Sequence, residues 1–450
     1  MRPSLTSSLV LSATLLVSSV GAGTPSKPAS EPSKSAPVGI ALGDDWTLTL
    51  QERVRGEWRD NTFDFNDSVD ALTDDSWLLQ RLRLGVTWQP APWLRVVAEG
   101  QDTREFFADR PSTIGQLGAE GDDTFDLRQG YIEVGETNGL SLRAGRQTLV
   151  YGDKRLISSG EWGNASRTFD AVKVHYQQDD WWLEAFTSSV VKLRDERFNQ
   201  STWFDGTSDD DQFFSGLYFS TRALAFQTTD VYALQLHQED AGGTDFVTWG
   251  TRWASDPDHF AGWDYAVEMA AQTGHVKGKD LTAFAGHWDL GHTWKDKAWK
   301  PRLGLEYSYA SGDSNATDGK TSTFQNLFPT NHLYYGYMDL FAWQNLHNPA
   351  AHFSVQPSKS LKASLDYHAF WLADTNDAWY RANITSTARP ITRNASSFAG
   401  TELDITLVWK AHKHLEVQAG YSHFFAGDYL KASGSNDDAD FAYLMVTLTY

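Results

Sequence analysis

The sequence contains no cysteine, which excludes disulfide bonds, thiolate metal sites and an N-terminal lipid anchor. Basic residues are scarce beside acidic ones, and the formal net charge of −20 argues against a nucleic-acid partner. Beyond the N-terminus, no apolar run approaches the roughly 18 residues that a membrane-spanning helix requires. The absence of cysteine also fits export into an oxidising periplasm.

Aromatic residues are abundant in a chain that is not hydrophobic overall. They make up 14% of the sequence, with 19 Trp and 17 Tyr, while the mean hydropathy is −0.45. Such a composition is typical of a structure with thin apolar bands and aromatic girdles, and not of a large packed core.

The first 44 residues predict a targeting segment followed by a linker. A positive start, an apolar stretch and a small-residue cleavage site at Val20-Gly21-Ala22 predict a signal peptide over residues 1–22. Residues 23–44 are rich in Pro, Ser and Lys and predict a disordered linker.

From residue 45 onward, apolar and polar residues alternate with a period of two, which places an apolar medium on one face of each strand and a polar one on the other. The last stretch, residues 442–450, alternates in this way and ends on the aromatic Tyr450, as expected of a strand that closes a barrel. The first stretch carries these residues on its apolar face: Trp46, Leu48, Leu50, Val54, Gly56 and Trp58.

Short and long connections alternate along the chain. Four-residue turns such as 89–92 and 135–138 lie between long polar segments such as 102–123 and 152–167. This asymmetry predicts an all-β fold, a transmembrane antiparallel up-and-down β-barrel of about 18 strands over residues 45–450. The alternatives are a soluble secreted β-protein and a barrel enzyme, but the sequence contains no hydrolase signature such as Gly-x-Ser-x-Gly or His-Glu-x-x-His.

Cationic residues recur at the polar positions of the predicted strands. Guanidinium groups stay charged and bind carboxylates with two parallel hydrogen bonds, so a lumen lined by them should concentrate anions. Acids such as Glu402 and Asp404 share the inward register on later strands. The alternative to an anion-attracting lumen is therefore that Arg–Glu pairs fill the lumen and brace the wall. The predicted pore-lining residues are Arg53, Arg55, Arg59, Arg81, Arg83, Arg95, Arg143, Lys173, Arg252 and Arg302.

Several motifs, in their order and spacing, resemble the alginate export porins of Gram-negative outer membranes. The resemblance implies an 18-stranded barrel that passes an anionic uronate polymer through a pore lined by Arg and Lys. The motifs are Leu142-Arg143-Ala144-Gly145-Arg146-Gln147 with Tyr151-Gly152-Asp153, Arg167-Thr168-Phe169-Asp170-Ala171-Val172, Ala310-Ser311-Gly312-Asp313, Phe324-Gln325-Asn326-Leu327-Phe328-Pro329-Thr330 with His332, Tyr335-Gly336-Tyr337, and Gly400-Thr401-Glu402-Leu403-Asp404.

Strict alternation along the strand would point the Arg146 side chain at lipid. A bulge at Gly145 would turn Arg146 inward, since glycine permits the required backbone. The family motif agrees with an inward arginine, so we add Arg146 to the predicted pore lining.

We therefore expect an outer-membrane channel that passes an alginate-like polyuronate through an Arg-lined pore. The alternative is a diffusion porin selective for small anions or acidic sugars. Partners are then an anionic polysaccharide or small anionic solute, outer-membrane lipid and lipopolysaccharide, and candidate periplasmic export proteins, but no nucleic acid. No cofactor, catalytic residue or metal ligand is expected, although clustered loop carboxylates could hold Ca²⁺.

One long segment stands out from the other loops. Residues 312–345 are rich in Phe, Tyr and His. They are either an ordinary extracellular loop or a gate that folds over or into the barrel.

Overall fold

The computed structural model describes residues 39–450, apart from residues 70, 112–118, 121, 195–196, 206–210, 240, 257–258, 384–388, 390 and 393–394. The predicted signal peptide and most of the predicted linker lie outside the described residues. Residues 39–44, the end of that linker, contain a short strand, so the sheet begins a few residues before the predicted boundary at 45.

Within the described residues, twenty strands form one sheet, and 18 of them are long wall strands that close into a barrel. The two short strands, β1 and β15, pair with the wall at β2 and β13. The strands are β1 (Ile40–Leu42), β2 (Trp46–Asp60), β3 (Ser76–Ala91), β4 (Leu94–Phe106), β5 (Asp123–Gly135), β6 (Leu140–Gln147), β7 (Phe169–Gln178), β8 (Trp181–Val190), β9 (Gln212–Thr221), β10 (Gln227–Gln238), β11 (Thr244–Ser255), β12 (Trp263–Val276), β13 (Lys279–Thr293), β14 (Arg302–Ala310), β15 (Lys320–Thr321), β16 (Leu346–Ser358), β17 (Leu361–Leu372), β18 (Phe398–His412), β19 (Leu415–Ala426) and β20 (Ala439–Thr449).

Each wall strand pairs antiparallel with its neighbours in sequence, and β2 pairs with β20 to close the cylinder. Closure leaves no lipid-facing strand edge, which would carry unpaired backbone groups. The predicted 18-stranded antiparallel barrel is confirmed.

The outer face of the barrel is apolar, and the inner face carries the charged side chains together with apolar residues that pack against the lumen contents. Large apolar side chains on the outer face are between about a third and two-thirds exposed, while charged side chains of the inner face are buried. The outward residues include Leu48, Leu84, Ile132, Leu142, Val174, Leu217, Val231, Trp249, Leu305, Ile405, Leu407 and Leu444. This inversion of a soluble protein's pattern is expected when the outer face contacts lipid.

Helical structure is minor in the described residues. A six-residue helix, α1 (Asp428–Ser433), follows β19, and a 3-10 turn covers Asn331–Leu333. Neither is long and apolar enough to cross a membrane, and no other described helix is.

Connections alternate in length from one end of the barrel to the other. At one end, which we call the turn end, strands are joined mostly by tight turns such as those between β7 and β8 and between β16 and β17. At the opposite loop end, two long connections fold into the lumen. We call residues 148–168 the first inserted segment and residues 311–345 the second inserted segment.

The two inserted segments supply much of the apolar core. Leu149, Ile157, Phe328, Phe341 and Trp343 are almost fully buried against inward residues of the wall. The second inserted segment therefore folds into the barrel. Of the two alternatives drawn from the sequence, an ordinary extracellular loop or a segment that folds over or into the barrel, the structure agrees with the latter. Insertion of the first segment, expected to be an outer loop, was not predicted.

The terminal residue contributes directly to closure of the barrel. The Tyr450 amide donates to the Leu50 carbonyl, and the Leu50 amide donates to the Tyr450 carbonyl, each at 2.8 Å. The Tyr450 ring stacks on His414 with ring centroids 4.2 Å apart. Deleting Tyr450 should therefore slow barrel assembly, measured as loss of the fast-migrating folded band on unboiled gels.

Tyr450→Phe is the matched control, because it keeps both backbone hydrogen bonds and the ring. Normal assembly of the deletion variant would contradict a closing role for this residue.

Candidate pore constriction

Five of the predicted arginines form a ladder on two paired strands. Arg53 of β2 lies directly opposite Arg81 of β3, and Arg83 lies opposite Gln51. Arg55 and Arg59 continue the inward register of β2 towards the loop end. All five side chains are buried, with exposed fractions of 0–7%.

Glu57 lies between the guanidinium groups of Arg55 and Arg59, which are the ladder residues on the loop side. Its carboxylate accepts from Arg55 at 2.6 Å and from Arg59 at 3.3 Å. Buried guanidinium groups require acceptors, because an unpaired buried charge is strongly unfavourable. One wall carboxylate partly satisfies this requirement for two arginines.

Gln51, Gln101 and Glu120 accept from Arg81, Arg83 and Arg55 at 2.9, 2.7 and 2.6 Å, and further acceptors come from a tight turn of the first inserted segment. The Gly163 amide donates to the Gly160 carbonyl at 3.1 Å, so Glu161 and Trp162 occupy the tip of a β-turn. Gly160 has a positive φ of 62°, which glycine adopts without strain.

Main-chain carbonyls of this turn accept from the ladder. The Glu161 carbonyl accepts from Arg53 at 2.6 Å, the Trp162 carbonyl accepts from Arg55 at 2.5 Å, and the Gly163 carbonyl accepts from Arg53 at 3.1 Å. The turn therefore sits against the arginine wall through its backbone.

The Glu161 carboxylate binds three guanidinium groups. Its oxygens lie 2.8 Å from Arg83, 2.6 Å from Arg128 and 3.5 Å from Arg81. Burial alone would raise the pKa of Glu161, but Arg83, Arg128 and Arg81 together hold it well below the usual range. Glu161 is therefore an anion at neutral and mildly acidic pH.

Arg128 reaches this site through a β-bulge. In the pairing of β4 with β5, Glu99 lies opposite Gln129 and the next residue, Gly100, lies opposite Leu127, so Arg128 is the extra residue. The bulge turns a side chain inward that alternation would have sent outward. Arg128 also donates to Glu99 at 2.5 Å.

The two inserted segments pair with each other across the lumen. Ile157 and Phe328 form a parallel bridge, in which the Ser158 amide donates to the Phe328 carbonyl and the Phe328 amide to the Leu156 carbonyl, both at 2.8 Å. The Thr330 amide donates to the Lys154 carbonyl at 3.0 Å. These bonds make the two segments one inner body within the barrel.

Trp162 contacts both the ladder and the second inserted segment. The Arg55 guanidinium lies 3.9 Å from the Trp162 ring centroid, and the His332 ring stacks on Trp162 at 3.7 Å. His332 is also 3.0 Å from Asp339, which lies 3.7 Å from Arg59.

An acidic wall forms on strands β14 to β18. Glu306, Asp366, Glu402 and Asp404 point inward and are buried. The second inserted segment binds this wall, since the Met338 amide donates to Glu402 at 2.9 Å. A basic wall and an acidic wall are thus both present in the lumen, and each is contacted by both inserted segments: Arg155 of the first lies 3.5 Å from Glu306, and the Met338 carbonyl of the second accepts from Arg59 at 3.1 Å.

A cavity of about 220 Å³ remains between the inserted segments and the loop end. Its lining includes both charge signs and aromatic rings, among them Arg59, Arg110, Trp162, His332, Asp339 and Arg381. Because residues of both inserted segments line it together with residues of the outer loops, we call this cavity the vestibule of the pore on the loop side.

Four more predicted residues have carboxylate partners in the wall or in the first inserted segment. Arg143 lies 3.0 Å from Glu133, and Lys173 lies 3.0 Å from Glu184. Arg252 binds Asp153 at 2.5 Å and Asp230 at 2.9 Å.

Arg302 binds Asp264 at 2.5 Å and Asp289 at 3.3 Å. Arg95 is half-buried in the inward register of β4, near the turn end. The bracing ion pairs that the sequence left open are therefore present beside an arginine-rich lumen.

The prediction for Arg146 is wrong. Pairing of β6 with β5 and β7 continues without a register shift through Gly145, so Arg146 faces outward beside Asp170. Arg146 donates to both Asp170 oxygens, at 2.9 and 3.2 Å, and its guanidinium lies 5.4 Å from the Phe198 ring. The ion pair of Arg146 with Asp170, which carries no net charge and is covered by Phe198, takes the place of the expected bulge.

Gly145 has a different role from the one expected. It has a φ of 123°, and a Cβ there would lie 2.3 Å from the Gly130 carbonyl oxygen. Glycine is thus required for close approach of β5 and β6.

The sequence did not predict several residues that contact the arginine ladder or share its acceptors, above all Glu161, Trp162 and Arg128. Gly160-Glu161-Trp162-Gly163 carries a turn signal, since two glycines flank an acid and an aromatic residue. The bulge at Arg128 has no comparable signal in the sequence.

A family model described as Alginate export matches residues 46–443, which is most of the chain. The chain belongs to the Alginate export family. It is accordingly an outer-membrane β-barrel channel and not an enzyme, as predicted. No curated protein matches the sequence significantly.

Solved structures with the same fold are distant in sequence. OccK9 (OpdG) of Pseudomonas aeruginosa superposes with a TM-score of 0.62 at 13% identity, covering 90% of this chain and 98% of that one. OccAB2 of Acinetobacter baumannii gives 0.61 at 10% identity, covering 90% and 98%. OpdK of Pseudomonas aeruginosa, solved with vanillate, gives 0.60 at 12% identity, covering 91% and 99%. At such identities the likeness establishes the fold of this Alginate export family member and nothing more.

Trp162 should stabilise the inserted turn inside the lumen. Its stack on His332 and its contact with Arg55 together contribute about 1–2 kcal/mol, a factor of roughly 5–30 in an equilibrium. Trp162→Ala is therefore expected to increase conducting openings several-fold in planar-bilayer recordings.

Trp93→Ala is the control, because Trp93 is 55% exposed in the turn between β3 and β4, away from the lumen. Unchanged opening statistics in Trp162→Ala would show that Trp162 does not hold the turn in place.

Proposed function

We propose that this channel passes an anionic polysaccharide of the uronate class through its arginine-lined lumen. The observation that carries the proposal is the set of partners of Arg53, Arg55, Arg81, Arg83 and Arg128. All five donate to a turn that offers only carbonyl and carboxylate oxygens. A polyuronate likewise presents a carboxylate on every residue, with neutral hydroxyl and ether oxygens beside it.

The physical basis is the guanidinium group. It stays charged, is weakly hydrated and binds a carboxylate with two parallel hydrogen bonds. Within a narrow lumen of low dielectric constant, several such groups attract anions and repel cations. The proposed selectivity is therefore anionic.

Passage of a polymer requires several sites in series, each weak enough to release the chain. Below the ladder, Arg95, Arg143 and Lys173 continue the inward register of β4, β6 and β7. We propose that these cations extend the track towards the turn end. The carboxylates that accompany Arg143 and Lys173 would moderate the affinity at those points.

A second candidate function is diffusion of small anions or acidic sugars. The 220 Å³ vestibule is of a size for a single small solute, which favours this alternative. The matching OpdK structure was solved with vanillate, a small aromatic carboxylate, although that likeness bears on the fold alone.

The wider cellular setting is also part of the proposal. A Sec-type signal peptide over residues 1–22 would deliver the chain to the periplasm. Lipopolysaccharide would surround the loop end, and export proteins would dock at the turn end.

Selectivity is tested by removing charge from the ladder. A guanidinium about 8 Å from a permeating ion contributes about 2 kcal/mol before screening, at an effective dielectric constant of about 20. Arg81→Gln with Arg83→Gln should therefore lower the anion-to-cation permeability ratio by roughly tenfold, measured as the reversal potential in a KCl gradient.

Arg104→Gln is the matched control on the neighbouring strand, since Arg104 pairs with Asp102 in the outward register of β4. An unchanged reversal potential in the double variant would mean that these arginines only brace the wall.

The two candidate solutes are separated by chain length. A longer oligouronate occupies more cationic sites at once, so its blocks of the current should last progressively longer. Single-channel dwell times with oligouronates of increasing length measure this dependence. Dwell times independent of length would favour the small-anion channel.

A further inference from the structure

The Glu161 carboxylate occupies a site that is built for an anion. Arg81, Arg83 and Arg128 surround it, and their side chains are only 4%, 8% and 6% exposed. Within the described wall, Glu99 is the other carboxylate bound to this group, through Arg128. Three buried cations beside one wall acid require a further negative charge, because buried charges must be paired.

Glu161 is attached to the inner body of the barrel and not to its wall. It lies at the tip of the turn between Gly160 and Gly163, and its side chain is 39% exposed while its partners are buried. Solvent therefore reaches the carboxylate from the lumen. A dissolved carboxylate can approach the same three guanidinium groups if the tip withdraws.

The rest of the turn occupies neighbouring positions on the ladder. Its carbonyls take the donors of Arg53 and Arg55, and the Asn164 side-chain oxygen accepts from Arg53 at 3.3 Å. One carboxylate followed by several neutral oxygens is the acceptor sequence that a single uronate residue offers.

We infer that Arg81, Arg83 and Arg128 form a carboxylate-binding site which Glu161 fills as an internal competitor and which a uronate carboxylate takes over when it enters the lumen. This inference rests on the proposed function. It adds that the resting channel is held closed by a surrogate of its own solute, so that arrival of the solute releases the turn.

The test removes the competing charge without changing its shape. Glu161→Gln keeps the volume of the side chain but removes its charge and leaves one accepting oxygen in place of two. An external carboxylate then competes with a weak neutral acceptor instead of an internal anion. While Glu161 occupies the site, only the unoccupied fraction of channels can bind glucuronate, and the apparent affinity falls in proportion to that fraction. The variant should therefore bind glucuronate about tenfold more tightly. The measurement is the glucuronate concentration that half-blocks the single-channel current.

Asp102→Asn is the matched control. It removes one ion-paired carboxylate, bound to Arg104 at 2.6 Å in the outward register of β4 and therefore outside the lumen and the three-arginine site. Its glucuronate affinity should equal that of the unmodified channel. Folding of both variants is verified by heat-modifiable migration before recording.

The outcomes separate the inference from the proposed function. Tighter block in Glu161→Gln alone supports the competitor. Equal block in all three proteins overturns the competitor and leaves the anionic channel standing. Absence of block in all three overturns both.

Discussion

The structure depends on one electrostatic requirement, which is that guanidinium groups buried in the lumen must find hydrogen-bond acceptors. Five arginines on β2, β3 and β5 face one small region, and Glu57 and Glu99 of the wall satisfy only part of their donors. Gln51, Gln101 and Glu120 accept further donors, and the turn at Gly160–Gly163 supplies more acceptors from inside the barrel. Insertion of the first segment therefore follows from the chemistry of the wall, since leaving these charges unpaired would be strongly unfavourable.

Attachment of the inserted segments to the wall has the same origin. The turn is bound to the basic wall, the second inserted segment is bound to the acidic wall through Glu402, and the bridge between Ile157 and Phe328 joins the two. The inner body is thus attached to both walls, since Arg59 of the basic wall also donates to the Met338 carbonyl and Arg155 of the first segment lies near Glu306 of the acidic wall.

The barrel itself could be predicted from the sequence, because period-two alternation and loop asymmetry are local signals that a closed sheet imposes on each strand. Inward placement of Arg53, Arg55, Arg81 and Arg83 followed from the same register. Glu161 could not be assigned to the site, since contacts between residues about 80 positions apart depend on where a long connection folds. Arg128 was missed and Arg146 was assigned to the wrong face because a bulge shifts the strand register by one residue. The sequence-based prediction placed a bulge at Gly145, whereas the structure has one at Arg128.

The central claim is that the inserted turn lies in an anion-attracting site, and thiol reactivity at Ser166 tests it most directly. The Ser166 hydroxyl accepts from Arg83 at 2.8 Å and lies 3.3 Å from Arg128. Because the chain has no cysteine, Ser166→Cys provides a single reactive thiol in that site. Its modification rates with anionic and cationic methanethiosulfonate reagents of similar size are compared in detergent. The account predicts much faster reaction with the anionic reagent, and equal rates or faster reaction with the cationic reagent would contradict it.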